Sequence, residues 1–429
     1  MLEAYTEQEA FANGRFPRAQ TLVVDDARPA GPIVLRATFG VLWSRDQGGS
    51  FDWTCEQAMG FSGAWDPPLA FGDEGELYFG LERGLRSTRD GCAFRDHHGL
   101  DGELVSDLTV SQGVIWGAAS TPTKSAFVFR YQNGTVRKSK PLGAFYVDTL
   151  DVAGGTGANP ARVYATAIET GKPIGAHFFR SDDGGLTLRE TNATFPVPTA
   201  RLFVAAVDPH AVDRVFVRSL GSTGSDLLLS EDGGVTFRVV LHTDGAMFGF
   251  ALDGDHVFAG SGTKSEGLFR SRDGGRTFDR LHDQVVYCLR ADRVSHALYA
   301  CSEPYAPEGY ALAVSRDDGA TFTSLGTFAK VRGPSPCDAG DGAKCSEPWA
   351  ATKLMLATDV TSPVDASTAL EDAAPPSAKP PAPSGGRCGC VVAGGASPVD
   401  ANAMGIAVLA LLLARRGSRS IHSRCPSDS

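Results

Sequence analysis

Neither a bilayer-length apolar run nor a basic tract occurs in this 429-residue chain. The longest apolar segment, 403–414, has 12 residues, short of the roughly 20 that span a membrane, and a multi-span membrane protein is excluded. Lys and Arg number 40 against 50 Asp and Glu, a net charge of −10. An acidic chain without clustered cations is a poor partner for phosphate backbones, so no nucleic-acid partner is expected. Charged residues make up only 21%, too few for charge-driven disorder. No apolar leader opens the chain either: residues 1–10 (MLEAYTEQEA) are acidic and do not form a signal peptide. What it has in excess is turn formers. Its 50 glycines and 25 prolines are about 17% of the chain, against roughly 12% in average proteins.

The turn formers recur in a pattern. Residues 271–278 (SRDGGRTF) are one copy of S-x-D-x-G-x-T-F, and 44–51, 230–237 and 315–322 are others. Residues 181–188 fit with Leu188 in the aromatic slot. Two degenerate copies fill the gaps: 88–94 is one residue short, and 131–136 is two short. The acidic or amide positions are Asp46, Asp90, Asn133, Asp183, Asp232, Asp273 and Asp317, at steps of 44, 43, 50, 49, 41 and 44. Around each copy lie four short apolar runs separated by turn residues, for example 247–252, 256–260, 267–271 and 278–281. The next unit reads 285–290, 296–301, 310–315 and 321–325. A four-stranded sheet cannot bury its faces alone, and radial stacking buries them. The expected fold is all-β, a seven-bladed propeller over 20–328, with strand 21–24 innermost in blade one or closing the ring.

Within each copy the aspartate has a role that needs no ligand. Its carboxylate accepts backbone N–H groups of its own turn, glycine supplies the backbone angles, and the aromatic packs into the blade. Calcium would want several carboxylates at alternating positions, and most copies offer one or two. No metal or cofactor is expected. The copies resemble the Asp-box, or BNR, repeat of sialidases, xyloglucan-cleaving glycosidases and sortilin-type receptors, over about 310 residues. That resemblance implies boxes between third and fourth strands, on the face opposite the ligand site. It leaves function open, because the family mixes hydrolases with binding modules.

A sialidase-like site would need three arginines, a Tyr/Glu pair and an acid. The family's Phe-Arg-Ile-Pro motif has no match: Arg15-Phe16-Pro17-Arg18 has the wrong order. A glycoside hydrolase would need two carboxylates roughly 5 to 10 Å apart. Asp66, Asp101, Glu103, Glu169, Glu266, Glu303 and Glu308 lie in loops of the face away from the boxes. Two loops combine aromatics with carboxylates and are the candidate ligand-binding loops: Trp65 and Asp66, and Glu303, Tyr305 and Glu308. The first reading is a monomeric module that binds a glycan or protein ligand; the alternative is a glycoside hydrolase using two such carboxylates. His97 and His98, beside Asp96 and Asp101, are adjacent and so point to opposite sides of an extended segment, which argues against a metal.

The two ends address the protein. Residues 1–19 contain an A-x-A-like cleavage site at 10–12, as if a mis-assigned start had lost a leader. A Cys-containing extension spans 329–360, and 361–386 is a Pro/Ala/Ser-rich linker, extended and disordered. The tail 387–429 carries Cys388-Gly389-Cys390, the short apolar helix 403–414 and Arg415-Arg416. This order resembles the myxobacterial C-terminal sorting tag, which implies a secreted protein held at the cell surface through a membrane-directed, processed tail. Of the other cysteines, Cys288 and Cys301 fall on one hairpin, and Cys337 and Cys345 bracket a short Gly/Asp loop. Cys55 and Cys92 are a further candidate pair, free buried thiols being the alternative. Paired cysteines imply an oxidising compartment.

Overall fold

The computed structural model describes residues 17–357, except 26–27, 29–30, 62–65, 73, 122–124, 156–159, 172–174, 198–200, 222–223 and 303–308. Seven sheets follow one another along the chain, each with its first four strands antiparallel and in sequence order from the inner edge outward. The seven first strands are Ala19–Val24, Leu69–Phe71, Leu104–Ser111, Phe145–Gly154, Arg201–Val207, Met247–Asp253 and Cys288–Ala291. Each touches the first strand of the next blade, and Ala19–Val24 touches Cys288–Ala291, so the ring closes around an axial channel. The protein is a seven-bladed β-propeller. Between blades the sheet faces pack through large apolar side chains, among them Trp43, Phe79, Phe129, Tyr164, Phe178 and Phe216, all fully buried.

All seven repeats fall between the third and fourth strands of their blades, and that places them on one rim. In blade six the Ser271 hydroxyl donates to Asp273 (2.7 Å) and accepts the N–H of Gly275. Asp273 in turn accepts the N–H groups of Arg276 and Thr277 and the Thr277 hydroxyl. The same set recurs at Asp232 and, with fewer bonds, at Asp46, Asp183 and Asp317. Donors aimed at a carboxylate favour its charged form. Bonds from Ser50 hold Asp46 down to about 2, and bonds from Thr321 do the same for Asp317. The shortened second copy keeps the device, since Asp90 accepts the N–H groups of Cys92 and Ala93.

The third copy does not. Asn133 and Gly134, with φ of 51° and 75°, form a two-residue hairpin turn between paired Gln132 and Thr135. Asn-Gly suits such a turn because both central residues need positive φ. Asn133 therefore sits on the rim with the aspartates but works through its backbone conformation.

Blade one differs from the expected four strands. Strand Val331–Pro334 of the C-terminal extension adds to its outer edge, parallel to Phe51–Thr54. Past blade seven the chain thus returns across blade one and reaches blade two. Arg332 pairs with Asp52 (2.7 Å), Asp341 with Arg86 (3.0 Å), and Trp349 lies 5.5 Å from Trp53 on helix Trp349–Ala357. Two disulfides fasten this return, Cys55–Cys345 and Cys92–Cys337. Both correct the sequence reading, which paired Cys337 with Cys345 and Cys55 with Cys92. Gly342 packs so closely on the second disulfide that a Cβ would lie 2.6 Å from the Cys337 sulfur. The third disulfide, Cys288–Cys301, joins directly paired residues of one hairpin, as expected. Cys388, Cys390, Arg415, Arg416 and the whole tail lie outside the described residues.

Candidate functional site

Antiparallel strands put first-to-second turns on the aspartate rim, and second-to-third turns and blade-to-blade connections on the other. The first strands enter the channel from that second rim, and five of them are irregular. One residue of each has no partner in the register: Gln20, Ser106, Asp148, Ala205 and Phe248. A bulge re-aims the side chain it carries. Gln20 and Phe248 are the second residues of their strands, and Asp148 is the fourth of its ten, so these three lie towards the entering ends.

Asp148 takes both oxygens to Arg201 of the next blade, whose Nε lies 3.1 Å from each. Burial raises the Asp148 carboxyl above its usual range, and the Arg201 bonds act against that. Phe203, two residues on, has the Arg201 guanidinium 5.4 Å from its ring centre and that of Arg218 at 4.6 Å. Arg218 donates to the carbonyl of Met247 in blade six and is pushed down to about 10, first by burial and then by the charge of Arg201. Phe248 lies 5.7 Å from Tyr287, and Arg18 covers the Tyr287 ring at 4.4 Å. From blade four round to blade one, then, the mouth is lined by aromatic faces and guanidinium groups.

Deeper in, two carboxylates tie neighbouring blades together. Asp107 accepts the N–H of Leu150 (2.8 Å), and Asp151 accepts those of Val207 (2.7 Å) and the Thr109 hydroxyl (3.1 Å). Enclosure by the first strands pushes Asp107 up to about 7, with the charge of Asp151 adding to the rise and the two N–H bonds opposing it. The folded protein then holds a proton on Asp107 that the unfolded chain releases near pH 4. Stability should fall as pH rises from about 4 to about 7. The difference between urea midpoints measured at both ends of that window should shrink in Asp107→Asn, the rest coming from Asp148 and Asp151, which burial also raises; an unchanged difference would show that Asp107 is ionised throughout.

Of the sequence-predicted site residues, Trp65, Glu303, Tyr305 and Glu308 lie outside the described residues. Asp66 reaches the mouth: its carboxylate accepts from Gln20 (3.1 Å), and its carbonyl and that of Pro67 accept from Arg36. The other loop acids have local partners. Asp101 accepts the Gly99 N–H, Glu103 binds Lys138, and Glu266 caps the N–H of Gly245 (3.0 Å). His97 and His98 part as expected: His97 is buried between blades two and three, while exposed His98 meets Asp101. Sequence reasoning missed Asp148, Arg201, Phe203, Arg218, Phe248 and Tyr287. For Asp148 and Phe248 the signal is the bulge, which no residue pattern marks.

No family model and no curated protein matches the chain. Solved structures resemble it in fold. The extracellular domain of a putative hybrid two component system from B. thetaiotaomicron aligns with a TM-score of 0.50 at 12% identity, over 71% of this chain and 39% of that one. The GH74 xyloglucanase from Xanthomonas campestris aligns with a TM-score of 0.39 at 13% identity, over 73% of this chain and 58% of that one. The chain spans about two-fifths of the first of these, and at such identities the likeness concerns the propeller fold alone.

Proposed function

We propose that the protein is an Asp-box propeller that works outside the cytoplasm as a binding module, taking a glycan or protein ligand at the channel mouth opposite the aspartate turns. The observation that carries this reading is the lining of the mouth: Phe203 between two guanidinium groups, and Phe248 and Tyr287 beside Arg18. Aromatic faces bury the apolar faces of sugars or side chains, and guanidinium forks orient polar groups. The channel carboxylates fit this better than hydrolysis. Asp107 and Asp151 are committed to backbone N–H groups of the next blade, and Asp148 to Arg201. Three disulfides favour an oxidising compartment. The tail from Cys388 through Arg415-Arg416 is proposed as a processed surface anchor.

Two experiments test these statements. Binding to a glycan array, with hydrolysis followed in parallel, should find ligands without release of reducing sugar, and Phe203→Ala should weaken binding about tenfold through the lost ring contact. Release of reducing sugar from an array polymer would favour the hydrolase instead. Fractionation with and without residues 387–429, in a host that recognises the tag and behind a working leader, should move the protein off the membrane when the tail is removed. Equal recovery from the cytosol would sink the anchor.

A further inference from the structure

On the aspartate rim, a notch lies beside the shortened hairpin at Asn133. Two adjoining hollows of about 420 and 360 Å³ share Arg130 and Gln132, and the second runs along Trp116 to Gly184 of blade four. Trp116, Arg130 and Arg137 are cross-strand neighbours in one row, Arg130 facing Trp116 on one side and Arg137 on the other. Two like charges directly opposite each other are destabilising unless something neutralises them.

Other blades show what is missing. Arg180 and Arg270 hold the same place as Arg130, one residue before the repeat begins. Arg180 donates to the Gly233 carbonyl (2.9 Å) and Arg270 to the Asp318 carbonyl (2.7 Å), each in the turn of the next blade. Arg270 also pairs with the Asp318 carboxylate. Among the described residues the side chains of Arg130 and Arg137 have no hydrogen bond and no ion pair. The buried indole N–H of Trp116 is likewise without a partner, while its ring is pressed against Gly185, where a Cβ would lie 2.7 Å away. Two guanidinium groups thus stand beside a hollow, with the buried indole N–H of Trp116 in the same row; Asp183, which also lines the second hollow, is held by Ser181, Leu186 and Thr187.

We propose that this notch between blades three and four binds an oxyanion (a phosphate, sulfate or carboxylate group), with Arg130 and Arg137 as its ligands. Guanidinium forks match such groups and form charge-assisted bonds with them. The site is independent of the channel mouth, which opens on the opposite rim.

The test is the indole N–H resonance of Trp116, assigned by its loss in Trp116→Phe, during titration of the full chain. Sodium phosphate, sulfate and acetate would each be titrated against sodium chloride at matched ionic strength. At least one oxyanion should give a saturable shift that chloride does not. Arg130→Gln with Arg137→Gln should weaken that binding at least about tenfold. Arg137 is exposed, so Arg137→Gln alone keeps the test available if the double variant does not fold, and it should also weaken binding. No saturable shift with any of the three anions, or the same affinity in the arginine variants, would overturn the site.

Discussion

Replacing Cys55, Cys92, Cys337 and Cys345 together by serine should destabilise the protein by on the order of 5 kcal/mol and lower its melting temperature by about 10 °C. The two disulfides span 290 and 245 residues, so each constrains almost the whole ring in the unfolded chain. Loop-closure entropy grows slowly with length, and once one long loop is closed the second, nested inside it, adds less. What remains to hold the extension in the variant is one parallel strand, the partly buried Arg332–Asp52 and Arg86–Asp341 ion pairs, the Trp53–Trp349 contact and the burial of Val331 and Leu356 against blade one. The edge of blade one should then open first, seen as loss of amide protection at 331–335 before the other blades. A melting temperature unchanged in the quadruple variant would mean that the extension does not latch the ring.

The second large effect is expected at His97. Tyr131 donates its hydroxyl to Nδ1 (2.8 Å), Nε2 lies 2.6 Å from the Ser87 hydroxyl, and Ser87 donates to Glu76 (2.6 Å). Because the Ser87 proton serves Glu76, Nε2 carries the imidazole proton, and burial keeps the ring neutral by lowering its pKa. The network runs in one direction with every member satisfied. His97→Leu removes its middle, strands the buried Tyr131 hydroxyl and takes from the Ser87 oxygen its donor, which should cost about 3 kcal/mol. His98→Leu, on the exposed side, should cost no more than about 0.5 kcal/mol. Urea denaturation of the two variants decides it: equal losses would mean that the network does not support the blade two–blade three interface.

The spacing of seven short turns was enough to read the propeller, because each turn is local and a serine, an aspartate and glycines build it within a few residues. The hairpin disulfide was readable for the same reason, since Cys288 and Cys301 lie on strands joined by one turn. Cys337 and Cys345 looked equally local and are not: each reaches back more than two hundred residues, to where the extension crosses blades one and two. Nothing in their spacing encodes that return. Asn133 was read as a weakened copy of the aspartate turn, although Asn-Gly between strands favours a tight hairpin by itself. The channel mouth was the least readable part. A bulge shifts the alternation of a strand by one, so Asp148 and Phe248 look like ordinary strand positions until the register is known. The arginines that meet them come from other blades.

The most direct measurement is amide hydrogen exchange of the intact chain with and without a ligand found on the array. Binding at the channel mouth predicts added protection at the entering ends of the first strands, around Gln20, Asp148, Arg201–Phe203 and Phe248, and none at the aspartate turns on the far rim. Protection confined to the aspartate turns, or to the outer strands, would contradict a ligand site at the mouth.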